Sequence, residues 1–521
     1  MLVPDEGTFA VRAEPAAATE ATAATRPLRK GPRWLLPAGA VLLAGVLTAY
    51  VADLVSHLSY MAAMRDLVVY RNGGLIVRHV PPAYDAHRAS PLYDWTGHNG
   101  VQFTYPPFAA VIFAVASVLS WTAMRWAMTL ASLAALGLSV WLVFGALFYP
   151  GGTTPPDPPA PGGTHPPRPP LGGTHPPRPP LGGTHPPRPR LGRPRVRLGA
   201  TLGVSALALA TEPVQQTLGL GQVNLLLMLL VVADLLTGGA LIPGGRTRWW
   251  HGFGIGIAAG VKLTPLIFIP YLLLIRKYRQ AATATAVFAA TVALGYAILP
   301  RDSGTYWADG LFGRANRIVF LGTRGNQSLR GVLSRLAGSV SSGTVPWLAA
   351  AVLVGIAGLA AAALLYRARQ PVPAMLACAL TGLLVSPLSW DHHWVWVAPG
   401  IALLAHLGAA AGRGLARAGW WAAAACLFGV FACWPQLWDL RQAGLTPAGL
   451  VWYAPGTYFA TGDKPWYHEF HWHGLQLLAG NSFVLAGLAS LAALAVAAVL
   501  ALPRGALNRA VARGRPRELS P

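Results

Sequence analysis

An apolar run in the middle of the chain reads Leu225-Leu-Leu-Met-Leu-Leu-Val-Val-Ala-Asp-Leu-Leu236. Its residues do not alternate between apolar and polar, as they would in a membrane-spanning β-strand of about ten residues. Runs of about 15–22 apolar residues recur along the chain between arginine-rich or tryptophan-rich connectors, a pattern typical of membrane-crossing helices. Hydrophobic residues make up 54% of the chain and charged residues only 11%. The sequence therefore predicts an all-α polytopic membrane protein.

The basic residues have a distinctive distribution. The formal net charge is +22 at pH 7, which in a soluble protein would suggest nucleic-acid binding. Here the basic residues lie mostly at the ends of apolar runs and in one insert, so the tendency of Lys and Arg to stay on the cytoplasmic side explains them better. We expect no nucleic-acid partner, and we expect the basic ends to contact anionic membrane lipids.

The two ends of the chain define its predicted topology. Basic residues between 26 and 33 precede the first apolar run, and five arginines between 504 and 517 follow the last one. Both termini are therefore predicted to be cytoplasmic, the number of crossings must be even, and the apolar segments indicate about twelve transmembrane helices. Segments 107–120 and 126–148 are separated only by a short break, which leaves open whether they form one span or two.

These limits divide the chain into a cytoplasmic tail at 1–34, a membrane domain at 35–502 and a basic cytoplasmic tail at 503–521. We expect the membrane domain to be a helical bundle with a long first extracytoplasmic loop at 56–106. Basic clusters in the second half of the chain place its polar segments on the extracytoplasmic side as well. The segments with the most chemically capable side chains are thus predicted to converge on one face.

A Pro/Gly/Arg-rich insert at 150–197 interrupts the membrane domain. Its residues 161–190 repeat variants of Leu-Gly-Gly-Thr-His-Pro-Pro-Arg-Pro-Pro. Such a density of proline and glycine cannot build a packed core and predicts disorder or polyproline II structure. Two interpretations remain open: a solvated insert, or an arm that docks a partner or lipid headgroups.

Asp66 lies in the first loop, just beyond the first apolar run. A carboxylate near the membrane surface can deprotonate an acceptor hydroxyl if partial burial tunes its pKa. The alternative is a salt bridge with neighbouring Arg65 or Arg71.

Three polar residues lie at the predicted outer ends of two spans, and a lysine lies in a later apolar region. Glu212, Gln222 and Asn224 can exchange hydrogen bonds with sugar hydroxyls, or they can cap helices and bond between them. Lys262 lies inside an apolar region, where a charge is a candidate functional residue and a phosphate is a natural partner. Its alternative is to extend its ammonium group to the membrane interface.

Several arginines gather on a predicted outer loop, against the positive-inside trend. They are Arg314, Arg317, Arg324, Arg330 and Arg335. A lipid phosphate would suit them, and the alternative is solvated surface charge. Asn326 and Gln327 lie among them and can bind sugar or acceptor hydroxyls.

Two histidine clusters follow later in the chain. Asp391-His392-His393 lies at the predicted outer mouth of a span, where we favour phosphate binding or proton relay over metal binding, because adjacent histidines rarely converge on one ion. His468-Glu-Phe-His-Trp-His473 has metal-like residue types, but its tryptophans favour an interfacial amphipathic segment. We predict no metal site and no cofactor.

Six segments resemble, in order, the polyprenol-phosphate-mannose-dependent α-mannosyltransferases of actinobacteria, a family of GT-C class membrane glycosyltransferases. They span about residues 60–400 and are Asp66-Leu-Val-Val-Tyr-Arg71, Phe103-Thr-Tyr-Pro-Pro-Phe108, Glu212-Pro-Val214 with Gly221-Gln-Val-Asn224, Lys262-Leu-Thr-Pro265, Asn326-Gln-Ser-Leu-Arg-Gly331 and Ser386-Pro-Leu-Ser-Trp-Asp-His-His393.

The resemblance implies an inverting transfer of mannose from polyprenol-phosphate-mannose to a lipid-linked glycan. The product would be an α-mannoside, for which an α-1,2 linkage is one option. It implies the extracytoplasmic face of the plasma membrane as the place and Asp66 as the base. Donor phosphate contacts are expected from Lys262, His392, His393, Arg324 and Arg330. Sugar or acceptor contacts are expected from Glu212, Gln222, Asn224, Tyr105, Asn326, Gln327 and Asp391.

Three other functions remain open from the sequence, and one of them is an inactive relative that serves as an assembly partner. A transporter or flippase for a lipid-linked sugar would want charged or discontinuous helices near the membrane midplane, which Lys262 and Pro265 fit loosely. A transferase that uses another polyprenol-phosphate sugar would share most of the same residues.

Overall fold

The computed structural model describes residues 34–56, 64–78, 92–93, 103–148, 194–237, 248–313, 321–412, 414–432 and 468–501. Within these ranges the protein is helical and has no β-strand. Its one extended pairing there is an isolated antiparallel bridge between Asn326 and Trp390. The predicted all-α class is therefore confirmed for the described part of the chain.

α-Helices account for most of the described residues. In chain order, the α-helices are Leu35–Ser56, Arg65–Val77, Pro107–Ala116, Trp121–Phe148, Pro194–Leu209, Glu212–Leu220, Asn224–Leu236, Phe253–Val261, Phe268–Leu274, Tyr278–Ile298, Pro300–Ser303, Leu329–Leu336, Thr344–Arg367, Pro371–Val385, Val397–Ala410, Leu415–Ala432, Leu475–Gly480 and Ser482–Leu500. Three 3-10 turns matter for the site or its surroundings: Thr264–Ile267, Asp391–Trp396 and His468–His471.

Several helices are suited to a lipid environment. By length and composition, six helices of the described residues can cross a membrane, and a seventh span is possible if Glu212–Leu220 and Asn224–Leu236 form one broken span. Large apolar side chains on their outer faces are open to the surroundings; Ile356, for example, is 67% exposed. Exposed apolar surface on this scale is what lipid contact requires. The protein is thus a membrane protein, and the count of about twelve spans stays a prediction.

The region 107–148 contains two separate helices. Pro107–Ala116 has 10 residues and Trp121–Phe148 has 28. Only the second is long enough to cross a membrane alone. The short break that the sequence left open is therefore a true helix boundary.

The first loop contains a helix that its sequence conceals. Residues 65–77 are α-helical although Asn72-Gly-Gly74, a poor helix-forming sequence, lies in the middle. The helix is held by packing, because Leu67 and Tyr70 are fully buried. Its glycines allow a close approach to Pro107–Ala116, where a side chain at Gly74 would meet the Phe113 carbonyl. We call Arg65–Val77 the base helix, since it carries Asp66 in its first turn.

A sharp bend sets two of the candidate residues in place. The helices Glu212–Leu220 and Asn224–Leu236, which we call the bent pair, are bent by 116° relative to one continuous helix. Gly221 ends the first helix with φ 68°, a left-handed conformation that favours glycine. A side chain there would approach Leu67 Cβ of the base helix to 2.6 Å. The bend thus fits against the base helix and presents Gln222 beside it.

Two polar segments pair across the bundle. Residues 321–336, the arginine loop, lie against residues 386–396, the histidine segment. The backbone N–H of Gln327 donates to the Ser389 carbonyl at 2.7 Å, and that of Asp391 donates to the Gly325 carbonyl at 2.9 Å. Trp394, 2% exposed, anchors the histidine segment in the core.

The tails and most of the insert lie outside the described residues. Residues 1–33, 149–193 and 502–521 are among them. A helix begins at Pro194, so the last residues of the predicted 150–197 insert are helical.

Candidate active site

Asp66 and Gln222 form the first part of the site. The Gln222 Nε2 amide donates a hydrogen bond to Asp66 Oδ2. Tyr70, one helical turn after Asp66, donates from its hydroxyl to Gln222 Oε1 at 2.7 Å. Because an ionised carboxylate only accepts hydrogen bonds whereas a hydroxyl can donate or accept, the Asp66 contact fixes which end of Gln222 faces it, and the Tyr70 bond to Oε1 agrees with that orientation. Asp66 is partly exposed whereas Gln222 is buried, so the carboxylate is oriented and still accessible.

Two tyrosines lie beside this carboxylate. Gln222 Nε2 also donates to the Tyr105 hydroxyl at 3.0 Å, and the Tyr70 and Tyr105 rings lie 4.9 Å apart. Burial, with the nearby Asp66 charge contributing, raises the pKa of both phenols, so both stay protonated at neutral pH. They can donate hydrogen bonds but cannot compete with Asp66 as a base.

Lys262 forms the second part of the site. Its ammonium Nζ donates to Asn224 Oδ1 at 2.9 Å and lies 2.8 Å from His393 Nε2. It also lies 5.8 Å from the centre of the Tyr105 ring, which joins it to the Asp66 side. Burial lowers the pKa of Lys262 to about 7, and the Asp66 charge works in the opposite direction. The base and the cation therefore share one space.

His392 and His393 have different surroundings. With Lys262 donating to Nε2 of His393, that ring carries its proton on Nδ1, which is buried and has no hydrogen-bond partner among the described residues. His392 Nδ1 lies 3.0 Å from Asp391 Oδ1, and its backbone carbonyl accepts from Asn224 Nδ2 at 2.8 Å. The bent pair and the histidine segment are thus locked together at the site.

Glu212 lies at a third, more deeply buried position. Only 2% of it is exposed, and neither carboxylate oxygen has a hydrogen-bond partner in the described part of the chain. Asp391 and Arg324 lie close enough for their charges to act on it. These residues extend the polar site from His392 towards the arginine loop.

A cavity opens beside Lys262. It holds about 500 Å³, counting its open mouth, and its polar lining consists of Asn224, Lys262, Thr264 and His393. The rest of its wall is mostly apolar and includes Leu227, Met228, Val231, Ile267, Phe268, Leu383, Val395 and Trp396. A cationic end joined to an apolar wall suits a molecule with an anionic head and a hydrocarbon tail.

Other predicted residues have contacts of a different kind. Asn326 and Gln327 are fully buried and bond mainly to backbone, for example Gln327 Nε2 to the Gly480 carbonyl at 2.7 Å. Arg330 lies over the Trp347 ring, with its Cζ 4.9 Å from the ring centre. Arg314 and Arg317 lie outside the described residues. Ligand roles for the first three stay predictions.

Two site residues were not among the sequence candidates. Tyr70 follows Asp66 by four residues, so helical spacing alone puts both on one face, but the loop interpretation hid this. Thr217 donates from its hydroxyl to the His392 carbonyl at 3.1 Å, a contact that the sequence does not signal.

The described residues contain no group of three or more His, Cys, Asp or Glu side chains that could hold a metal ion. The prediction of chemistry without a metal rests on the lipid-phosphate donor and stays a prediction.

Comparison with known proteins identifies a matching family. The model of glycosyltransferase family 87 matches residues 103–387. The match includes Glu212, Gln222, Asn224 and Lys262, whereas Asp66 precedes it and the Asp391–His393 stretch follows it. No solved structure matches the chain.

Curated relatives also match, one of them over a longer stretch than the family model. A "polyprenol-phosphate-mannose-dependent alpha-(1-2)-phosphatidylinositol mannoside mannosyltransferase" of Mycobacterium tuberculosis is 31% identical over 369 residues, 70% of this chain and 75% of the relative. A "polyprenol-phosphate-mannose-dependent alpha-(1-2)-phosphatidylinositol pentamannoside mannosyltransferase" of Mycolicibacterium smegmatis is 38% identical over 255 residues, 48% of this chain and 58% of the relative.

Proposed function

The chain belongs to glycosyltransferase family 87, and from that premise we propose that it moves mannose from polyprenol-phosphate-mannose to a lipid-linked glycan. The product would be an α-1,2-mannoside. The names of the relatives support this donor and linkage, and they favour a phosphatidylinositol mannoside as the acceptor. Family membership favours an enzyme over a transporter or flippase.

One observation carries the proposal: an oriented carboxylate and a buried cation face the same space beside an apolar cavity. Gln222 and the tyrosines orient Asp66, and Lys262 lies at the polar end of the cavity. A polyprenyl phosphate has the matching form, with an anionic head and a long hydrocarbon tail. The apolar wall would take the isoprene units nearest the phosphate.

Asp66 acts as the general base in this proposal. Its carboxylate takes the proton from an acceptor hydroxyl as the hydroxyl oxygen bonds to the anomeric carbon of mannose. The bond from that carbon to the phosphate oxygen breaks, and its electron pair leaves with the polyprenyl phosphate. Attack from the opposite face inverts a β-linked donor to an α-linked product.

The leaving phosphate needs positive charge and hydrogen-bond donors rather than a proton. Lys262 supplies the charge, and the Nδ1–H of His393 is a buried donor without a hydrogen-bond partner in the described part of the chain. His392 Nε2 is also buried there without a partner, but its Nδ1 faces the Asp391 carboxylate, so Nε2 donates only from the doubly protonated ring. Arg324 and Arg330 are the predicted arginine contributors. A monophosphate leaving group does not demand a divalent metal.

Sugar and acceptor recognition would use the remaining polar groups. Glu212 and Asp391 can accept hydrogen bonds from hydroxyls, and Tyr105 can donate one. Asn224, Asn326 and Gln327 are the amide candidates. The Asp391 charge acts on Glu212, so these two carboxylates lie close enough together to serve the same bound sugar.

We place the reaction at the extracytoplasmic face of the plasma membrane, with both termini in the cytoplasm. The support is the distribution of basic residues between 26 and 33 and between 504 and 517.

The experiment supplies purified protein in nanodiscs with radiolabelled polyprenol-phosphate-mannose and phosphatidylinositol mannosides. We expect a labelled lipid product that an α-1,2-mannosidase degrades. Empty nanodiscs are the control. Transfer only from another polyprenol-phosphate sugar would overturn the donor, and no transfer from any such donor would overturn the enzymatic function.

A further inference from the structure

A short segment near the end of the described chain docks onto the site's scaffold. We call residues 468–481 the strap. It begins with the 3-10 turn His468–His471 and leads into the last long helix. Glu469 and Trp472 are buried, at 1% and 8% exposure, whereas His471 and His473 are exposed. The segment is amphipathic, as the sequence suggested, but its inner side carries a carboxylate that the protein encloses.

The strap contacts the arginine loop at both of its ends. At its start, Glu469 Oε1 accepts from the Arg324 backbone N–H at 3.4 Å. The neighbouring Phe470 ring lies against Gly322, where an added side chain would approach the ring to 2.5 Å. Near the C-terminal end of the strap, the Gly480 carbonyl accepts a hydrogen bond from Gln327 Nε2 at 2.7 Å. The loop therefore has little freedom on this side.

Arg335 bonds the end of the strap to the arginine loop, and it lies close enough to Glu469 for the two charges to interact. Its Nε donates to Asn481 Oδ1 at 2.9 Å, and its Nη1 donates to the Thr323 carbonyl at 2.6 Å. It is 1% exposed, and burial lowers its pKa to about 9 while the Glu469 charge works in the opposite direction. Removing the nearby Glu469 carboxylate would leave the charge of this buried guanidinium with less compensation, which is costly in free energy.

The opposite side of the arginine loop holds the histidine segment. Asn326 Oδ1 accepts from the Ser389 N–H at 3.1 Å, and Asn326 Nδ2 donates to the Pro387 carbonyl at 3.2 Å. With the Gln327 and Asp391 backbone bonds, these contacts fix the backbone that leads directly to His392 and His393. The arginine loop therefore contacts the strap on one side and the histidine segment on the other.

Electrostatic interactions connect the strap, the arginine loop and the bent pair as well. Arg324 acts electrostatically on Glu469 of the strap and on Glu212 of the bent pair, so one cation connects both elements. Burial raises the pKa of Glu469, and Arg335 and Arg324 counteract this. Removing the carboxylate would leave two buried guanidinium groups with less compensation.

We infer that Glu469 is a positioning residue, which holds Arg324 and Arg335 so that the arginine loop keeps His392 and His393 in place for the donor phosphate. This role in catalysis rests on the proposed function, while the mechanical link from strap to histidines does not. The strap lies outside the region matched by the family model, which ends at 387.

The first test compares Glu469→Gln, Glu469→Asp and the control His471→Ala, an exposed position on the same turn. We expect kcat/KM for the polyprenol-phosphate-mannose donor to fall about tenfold to a hundredfold in Glu469→Gln, because small displacements of aligned groups cost this much. Glu469→Asp should lose less of kcat/KM than Glu469→Gln, because it keeps the carboxylate, and His471→Ala should match wild type. Values within twofold of wild type for Glu469→Gln, at equal amounts of folded protein, would overturn the catalytic role.

The second test is independent of activity. Hydrogen–deuterium exchange of the same variants in nanodiscs should quicken in Glu469→Gln at the arginine loop and at residues 386–396, where the Gln327 and Asp391 amides are bonded. Faster exchange confined to 468–481 would overturn the link. If wild type transfers no sugar, the proposed function fails, but this measurement still decides the inference.

Discussion

The Asp66 carboxylate accepts a hydrogen bond from the side-chain amide of Gln222, across 156 residues of sequence. The bond joins the base helix to the turn of the bent pair. It gives the proposed base a defined orientation before any substrate arrives. Preorganisation of this kind is effective because no rearrangement is needed when the proton moves.

Gln222→Leu should lower turnover more than donor binding. The substitution removes the amide that orients Asp66, and we expect kcat to fall about tenfold to a hundredfold with donor KM changed less than about threefold. Steady-state kinetics in nanodiscs measures both. Gln216→Leu, on the helix Glu212–Leu220 that precedes this turn and partly exposed, is the matched control. An unchanged kcat in Gln222→Leu would refute the orienting role.

Tyr70→Phe should have a milder effect. It removes only the hydroxyl that bonds to Gln222 Oε1, a contribution of about 1 kcal/mol, so kcat should fall about fivefold. Tyr296→Phe, at an exposed tyrosine, should leave kcat unchanged. Equal activity in both variants would mean that Gln222 holds its orientation without Tyr70.

Donor affinity should depend on pH through Lys262. The pKa of its ammonium is lowered to about 7, so the group is charged below that pH and loses its proton as pH rises through it. Donor KM should therefore increase between pH 7 and 9 in wild type. In Lys262→Arg the guanidinium stays charged, and KM should be flat over that range. The same rise in both proteins would exclude Lys262 as its source.

Gly221→Ala should reduce stability as well as activity. The position has φ 68°, and a new methyl group would press on Leu67 next to Asp66. We expect a loss of at least about 1 kcal/mol in the free energy of unfolding, visible as a lower Tm in detergent. Gly429→Ala, a helical position with open space around it, should be neutral or stabilising. A Tm equal to wild type in Gly221→Ala would contradict the close packing.

The sequence predicts the helical class because apolar runs without alternation have few other solutions in a membrane. It also singles out Asp66, Lys262 and the adjacent histidines, since charges beside apolar runs are costly unless they have a use. Lys262 contacts His393 and lies beside Tyr105 on the Asp66 side, while the placement of these residues on the extracytoplasmic face stays a prediction. The arrangement itself depends on the turn at Gly221, whose angle no local pattern encodes.

Other features escape the sequence for physical reasons. The base helix contains Asn72-Gly-Gly74, which reduces helix propensity, and only packing against Pro107–Ala116 overrides this. Asn326 and Gln327 have the donors and acceptors that sugars need, but the same groups bind backbone here. Glu469 lies among aromatic and histidine residues typical of an interface, and its burial depends on arginines more than 130 positions earlier.

The central claim is that Asp66 is the base, and the most direct test is mannose transfer by Asp66→Asn. The amide keeps the size of the side chain but cannot take a proton. Asp309→Asn, at an exposed carboxylate outside the site, is the control. We predict that transfer from polyprenol-phosphate-mannose falls by at least about a hundredfold in Asp66→Asn and is unchanged in Asp309→Asn. Transfer by Asp66→Asn at the wild-type rate would contradict the assignment.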